Sequence, residues 1–240
     1  MNSSFWISLA TAVVTAFFTF KVYARYKAKG GWHLLSWTIG LFLYSLSSTA
    51  QTVLFTSFNP FLFKLWYWAG ALVVAPWLGQ GTLFLLFRRK KGTWISFWVI
   101  LVLSLVGLPL IFGAEINPAA YQPGVDLTEQ FKEIFTATGT LKTIRVVLVI
   151  FLNTYGTILL VGGAIYSAFI FWRKRILPQR MWGNVLIAAG GLLPAMGGVL
   201  ILLGSPAYKY LGQLLGGILL FIGFWVAIRD AKDTVSRQGT

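Results

Sequence analysis

Three carboxamides, Gln51, Asn153 and Gln213, stand inside long apolar runs, where a polar side chain is costly unless it meets a partner. Counting about 1.5 Å of rise per residue, they lie at similar depths, roughly 8 to 11 Å below one membrane surface. Helical spacing puts Tyr44 and Ser48 on the same face as Gln51, and Ser45, Thr49 and Thr52 on an adjacent stripe. One reading is a pocket for a small, largely uncharged ligand, lined by Gln51, Asn153, Gln213, Tyr44, Ser48, Trp77 and Tyr155. It would recognise by shape, aromatic contact and amide hydrogen bonds. The other reading is a set of interhelical clamps, each worth on the order of 1 kcal/mol.

A second polar point falls in "APWLGQGTL", residues 75–83. Pro76 removes a backbone donor at mid-membrane and predicts a kink, while Gly79 and Gly81 permit close helix approach. Gln80 lies roughly 24 Å below the outer surface, well away from the three amides. It reads as an inner gate or, more simply, as part of a packing seam. Pro194, among Gly190, Gly191, Ala195, Gly197 and Gly198, is a further bending or packing point. Gly212 and Gly216 form a G-x-x-x-G on the last apolar run.

Acid–base, metal and nucleophile chemistry are poorly supplied. With no cysteine in the chain, thiolate metal sites and thiol nucleophiles are excluded. His33 is the sole histidine and stands at a span entrance, so it cannot build a metal site or a bis-histidine haem by itself. Glu115, Asp126, Glu129 and Glu133 are spread along one loop, where they read as solvated acids rather than a catalytic set. The expectation is a non-enzymatic protein with no cofactor and no metal. A lipid-modifying enzyme would need acids or a metal that converge only in the fold.

The elements that must hold these residues are set by composition. Of the 240 residues 57% are hydrophobic and 11% charged, against about 25% charged in an average soluble chain. Apolar runs of about 20 residues, each long enough for a hydrocarbon layer about 30 Å thick, recur almost end to end. They predict spans over 5–22, 32–55, 64–87, 94–113, 144–171, 182–204 and 207–228. The expected fold is an all-α, seven-transmembrane-helix bundle forming one domain over residues 1–240.

The net charge of +14 is segregated by loop. Lys21, Arg25, Lys27, Lys29, the run Arg88 to Lys91, Arg173, Lys174, Arg175, Arg180, Arg229, Lys232 and Arg237 make 15 of the 20 basic residues, all on one side of an alternating path. By the positive-inside rule that side is cytoplasmic, which places the N-terminus outside and the C-terminus within. The start "MNSSF" lacks a basic n-region and reads as a retained span rather than a cleaved signal. The charge therefore implies a multi-pass protein of the cell membrane whose partners are the bilayer and anionic lipids at the cytoplasmic face, not nucleic acid. A protein partner or a homo-oligomer remains open.

One connection is long. Residues 115–142, on the outer face, contain Asp126 and Glu129 at capping-box-like spacing, with Leu127, Phe131, Ile134 and Phe135 on one helical face. They predict a short amphipathic helix that either rests on the bilayer surface or covers an outward cavity. An offset of 142 residues pairs Trp66, Trp68, Gly70 and Gly81 with Tyr208, Tyr210, Gly212 and Gly223, consistent with two triple-helix repeats around a linking fourth span.

The topology is similar to that of microbial rhodopsins, of G-protein-coupled receptors and of the 3+1+3 sugar-transporter and PQ-loop families. "LWYWAGALVVAPWLGQGTL" loosely resembles the third rhodopsin helix. A rhodopsin likeness implies a retinal-bearing lysine midway along the seventh helix and a carboxylate in the third. Here "AYKYLGQLLGGILLFIGFWVAI" carries Lys209 only two residues from its start, so retinal is not implied. The single Pro178-Gln179 pair lies in a basic loop, outside the helices where the PQ pattern belongs. The functional expectation is a membrane protein that binds or transports a small ligand. The alternative is a heptahelical sensor or interaction subunit, without retinal, signalling to a cytoplasmic partner.

Overall fold

A computed structural model describes residues 3–87, 90–136, 138–196 and 207–237 of the chain. Arg88, Arg89, Gly197, Gly198 and the end of the span predicted over 182–204 lie outside the described residues. Among the described residues the fold is all-helical, with no strand. Its helices are α1 (Ser3–Lys29), α2 (Trp32–Leu54), α3 (Pro60–Leu86), α4 (Lys91–Phe112), α5 (Leu127–Ile134), α6 (Gly139–Lys174), α7 (Pro178–Ala195) and α8 (Ala207–Arg237). Five of them, α1, α3, α4, α6 and α8, contain stretches long and apolar enough to cross a membrane. The helix α2 has 23 residues, among them seven serines and threonines plus Gln51, and is not one of these five.

Polarity is arranged inside out. On α1 the buried positions include Ser4, Ser8, Thr11 and Thr15, while Trp6, Val13, Phe17 and Phe20 are exposed. On α4 the exposed stripe is Ile95, Trp98, Val99, Val102, Leu105 and Val106, and the buried one is Thr93, Phe97, Ile100, Ser104, Gly107 and Ile111. Both stripes follow the period of about 3.6 residues per turn. A soluble helix would present the opposite faces. Such faces are compatible with a membrane protein, in which small and hydroxyl side chains let helices approach and large apolar ones remain outside.

The chain forms two compact units, residues 1–156 and residues 157–240. In the first, hydroxyls stitch α1 to α2: Ser8 Oγ donates to the Ser48 carbonyl at 3.4 Å and Ser45 Oγ to the Ala12 carbonyl at 3.3 Å. The helix α3 is interrupted by a π-helical turn, Tyr67–Val73, in which the Val74 N–H bonds five residues back to the Ala69 carbonyl. Asn59 caps the start of α3 through the Leu62 N–H at 3.0 Å, and Pro60 occupies the first helical position. Backbones touch where α3 meets α6. A Cβ on Gly156 would lie 2.2 Å from the Ala75 carbonyl carbon, and one on Gly79 would lie 2.7 Å from the Gly156 carbonyl oxygen.

In the second unit α7 and α8 pack along a small-residue seam. A Cβ on Gly183 would come within 2.7 Å of the Gly223 carbonyl, and one on Gly190 within 2.7 Å of the Leu220 nitrogen. Pro194, inside α7, packs its ring on Gly216 of α8, the second glycine of the G-x-x-x-G.

Candidate functional site

The site grows from residues 113–136, the segment joining α4 to α6. Asp126 caps α5 by accepting from the Thr128 N–H at 2.7 Å and from its hydroxyl at 2.6 Å. Gln130 folds the preceding loop back on itself: its Oε1 accepts from the Gln122 N–H at 2.7 Å, and its Nε2 donates to the Gln122 and Val125 carbonyls. A single antiparallel bridge, Ile116 with Phe135, closes the loop. The Tyr121 hydroxyl donates to the Leu54 carbonyl at the end of α2, and burial pushes this phenol above the ordinary tyrosine range. The apolar side of the segment, Leu127, Ile134 and Phe135, is buried against Phe63, Trp66 and Tyr67 of α3. It is a cover with its own internal bonding, seated on the end of the first unit.

Beneath this cover lies Arg145 of α6, only 5% exposed. Its guanidinium carbon sits 3.9 Å from the centroid of the Phe135 ring and 5.7 Å from that of Tyr67. Tyr67 in turn packs against Phe131 and Phe135, with ring centroids 5.9 and 5.0 Å apart. The buried Nε and Nη1 of Arg145 have no hydrogen-bond partner. An unpaired buried cation costs several kcal/mol, and stacking on a desolvated ring returns about 2 kcal/mol. The arrangement is thus a cationic donor stacked on aromatic rings with two of its three nitrogens, Nε and Nη1, left without an acceptor. Tyr67 is also the first residue of the π-helical turn, an irregularity that recurs at functional sites.

Of the three amides predicted to share a layer, Gln51 and Asn153 have named hydrogen-bond partners. Gln51 Nε2 donates to Ser8 Oγ at 2.9 Å, and its Oε1 accepts from Trp66 Nε1 at 3.0 Å, which locks α1, α2 and α3 together. Asn153 Nδ2 donates to the Ala71 carbonyl at 2.6 Å and to the Val149 carbonyl at 2.9 Å. Gln213 is half-buried on α8 in the second unit. These hydrogen bonds of Gln51 and Asn153 join neighbouring helices, as clamps do. Tyr44 and Ser48 are buried on α2. Trp77 donates through Nε1 to Ser104 Oγ of α4 at 3.2 Å.

Tyr155 joins Gln80 instead of the amides. Its hydroxyl donates to Gln80 Oε1 at 2.8 Å and also contacts Ser96 Oγ, which lies 2.7 Å from the same oxygen. Gln80 is fully buried and its Nε2 donates to the Thr93 carbonyl at 2.9 Å. This node ties α3 to α4 and α6.

Pro76 and Asn153 act on the same turn of α3. In α-helical register the N–H of residue 76 would serve the Leu72 carbonyl, and in π register that of Ala71; proline supplies neither. Asn153 then donates to Ala71 from the neighbouring helix. Lys64 plays a similar part at the end of α4, where its Nζ donates to the Phe112 carbonyl at 2.8 Å.

In the sequence Arg145 is one of the five basic residues, with Lys64, Lys132, Lys142 and Lys209, that fall on the side opposite the other fifteen, where it reads as an ordinary span-flanking cation. The available signal was its position as the second residue of the run 144–171, with no acid at helical spacing from it. Among the described residues no three histidine, aspartate or glutamate side chains gather as metal ligands. Comparison with protein-family models, curated proteins and solved structures returned no match to this chain.

Proposed function

We propose that this chain is a multi-pass protein of the cell membrane, crossing it seven times with its N-terminus outside, that binds a small molecule beneath the 113–136 cover without catalysing a reaction on it. The inside-out polarity of α1 and α4 supports the membrane setting. The observation that carries the binding reading is the buried, unpartnered Arg145 enclosed by the aromatic rings of Tyr67 and Phe135. An unused cation that costs stability is the kind of feature retained for a ligand rather than for the fold. From this end α3 runs through the π-helical turn and Pro76 to the Gln80 node, a continuous helix by which occupancy at the cover can bias the opposite end.

The cysteine-free sequence makes the test direct. Single cysteines at Pro123, Lys91 and Ile134 would be treated with a membrane-impermeant maleimide in intact cells. Pro123→Cys reacts from outside and Lys91→Cys only after permeabilisation; labelling of Lys91→Cys in intact cells would refute the orientation. Ile134 is fully buried under the cover, so slow, saturating reaction of Ile134→Cys reports its opening. If Ile134→Cys stays inert while Pro123→Cys is labelled, the cover never lifts and the binding reading fails.

A further inference from the structure

We infer that Arg145 anchors the anionic head of an amphipathic ligand, a carboxylate or phosphate borne on an apolar body. This rests on the binding reading above and specifies its chemistry. The guanidinium presents Nε–H and Nη1–H without partners, so both its side edge and its terminal edge have a donor to offer an oxyanion. The surroundings dictate the rest of the ligand. Phe135 and Tyr67 stack on the cation, Phe131 packs against Tyr67, and Leu127 and Ile134 are buried in the same cluster. Beside the cation the Tyr67 ring brings one phenol hydroxyl and the rest of the cluster is apolar, so an acid with an aliphatic or aromatic body matches both parts better than a fully hydrated inorganic ion.

No aspartate or glutamate among the described residues pairs with Arg145. Asp126, on the cover, directs its Oδ1 to the Thr128 N–H and hydroxyl, and its buried Oδ2 has no partner. The ion pair that would neutralise the cation must therefore come from outside the described chain. Either a free organic acid or the headgroup of an anionic lipid carries that chemistry.

The experiment uses the full chain in detergent and in nanodiscs, with octanoate and phenylacetate as acid probes, octanol and phenethyl alcohol as their uncharged counterparts, and phosphatidylglycerol compared with phosphatidylcholine as the lipid arm. Thermal unfolding of the wild type shifts upward with an acid probe, or with phosphatidylglycerol, and not with the alcohols. An acid response identifies a free ligand, and a phosphatidylglycerol response alone identifies a lipid headgroup. Arg145→Met weakens the responding ligand by about tenfold to a hundredfold. The same substitution raises the melting temperature of the ligand-free protein, because an apolar side chain of similar length replaces an unpaired charge. A purely structural arginine predicts the reverse. Arg145→Lys keeps the charge but not the planar donor edge, and binds the ligand more weakly than the wild type while still discriminating acid from alcohol.

Loss of stability in ligand-free Arg145→Met, together with an acid response that survives the substitution, would overturn the assignment. So would a wild type that responds to the alcohols alone, although the binding reading would then stand. No response to any probe or lipid refutes the anionic assignment, and the Ile134→Cys labelling then decides separately whether a site opens.

Discussion

At the scale of single residues, two buried polar groups contrast in how their needs are met. Gln80 is fully satisfied: Thr93 takes its N–H, while Ser96 and Tyr155 converge on its carbonyl. Arg145, nearly as buried, keeps Nε and Nη1 unmet. The first arrangement serves stability, and the second is the one on which the proposed binding role rests. Gln80→Leu is expected to destabilise the protein by about 1 to 2 kcal/mol, since two hydroxyls lose their acceptor. Combined with Tyr155→Phe, the loss should be less than the sum of the two single losses, because both changes remove the same contact. Thermal melts of the four proteins in a double-mutant cycle would measure this; strict additivity would show that Gln80 and Tyr155 are not energetically linked.

At the scale of the element, α3 is held open by its own sequence and closed by its neighbours. Pro76 deletes a donor, the π-helical turn shifts the register ahead of it, and Asn153 of α6 donates to the Ala71 carbonyl from the neighbouring helix. Close contact makes this exchange possible, since Gly156 and Gly79 let the two backbones meet. Asn153→Leu is expected to cost about 1 to 3 kcal/mol, the penalty for removing an amide hydrogen bond to a buried carbonyl. In a Pro76→Ala background the chain regains its own N–H, so the same substitution should cost markedly less. Equal costs in both backgrounds would mean that Asn153 acts through packing alone. The π-helical turn also places Tyr67 on the cover side of α3, against Phe131, Phe135 and Arg145, so the irregularity and the candidate site share one residue.

At the scale of the whole molecule, a large apolar surface is left open. Val102, in the middle of α4, is 53% exposed and belongs to a continuous apolar stripe. In water such a stripe promotes aggregation, whereas in a bilayer it is the solvent contact. Val102→Arg is expected to lower the membrane-inserted fraction sharply, because a cation at a helix centre costs about 2.5 to 3.5 kcal/mol on insertion. Thr93→Ser, on the opposite face of α4, leaves insertion unchanged. Alkali extraction of membranes followed by quantification of the pellet distinguishes them, and complete retention of Val102→Arg would mean that this stripe does not face lipid.

What the sequence alone determined is whatever depends on local pattern. Apolar runs and their flanking charges delimited helices, because lipid leaves a backbone no alternative to internal hydrogen bonding. Asp126 marked the start of a helix in the long connection, and Leu127, Ile134 and Phe135 marked its buried side. Sequence also narrowed Gln51 and Asn153 to clamp or pocket, because both uses demand an amide that faces inward. Depth along a helix axis could not choose between them. The choice depends on azimuth and on which neighbour is near, and Gln51 found Ser8 and Trp66 while Asn153 found Ala71. The same limit concealed Arg145. Its place near a span end is that of an ordinary interfacial cation, and only the folding of residues 113–136 over it, with Phe135 against its guanidinium, took it out of water and left it without a partner. Burial is a property of the surroundings, and those surroundings are assembled from residues distant in sequence.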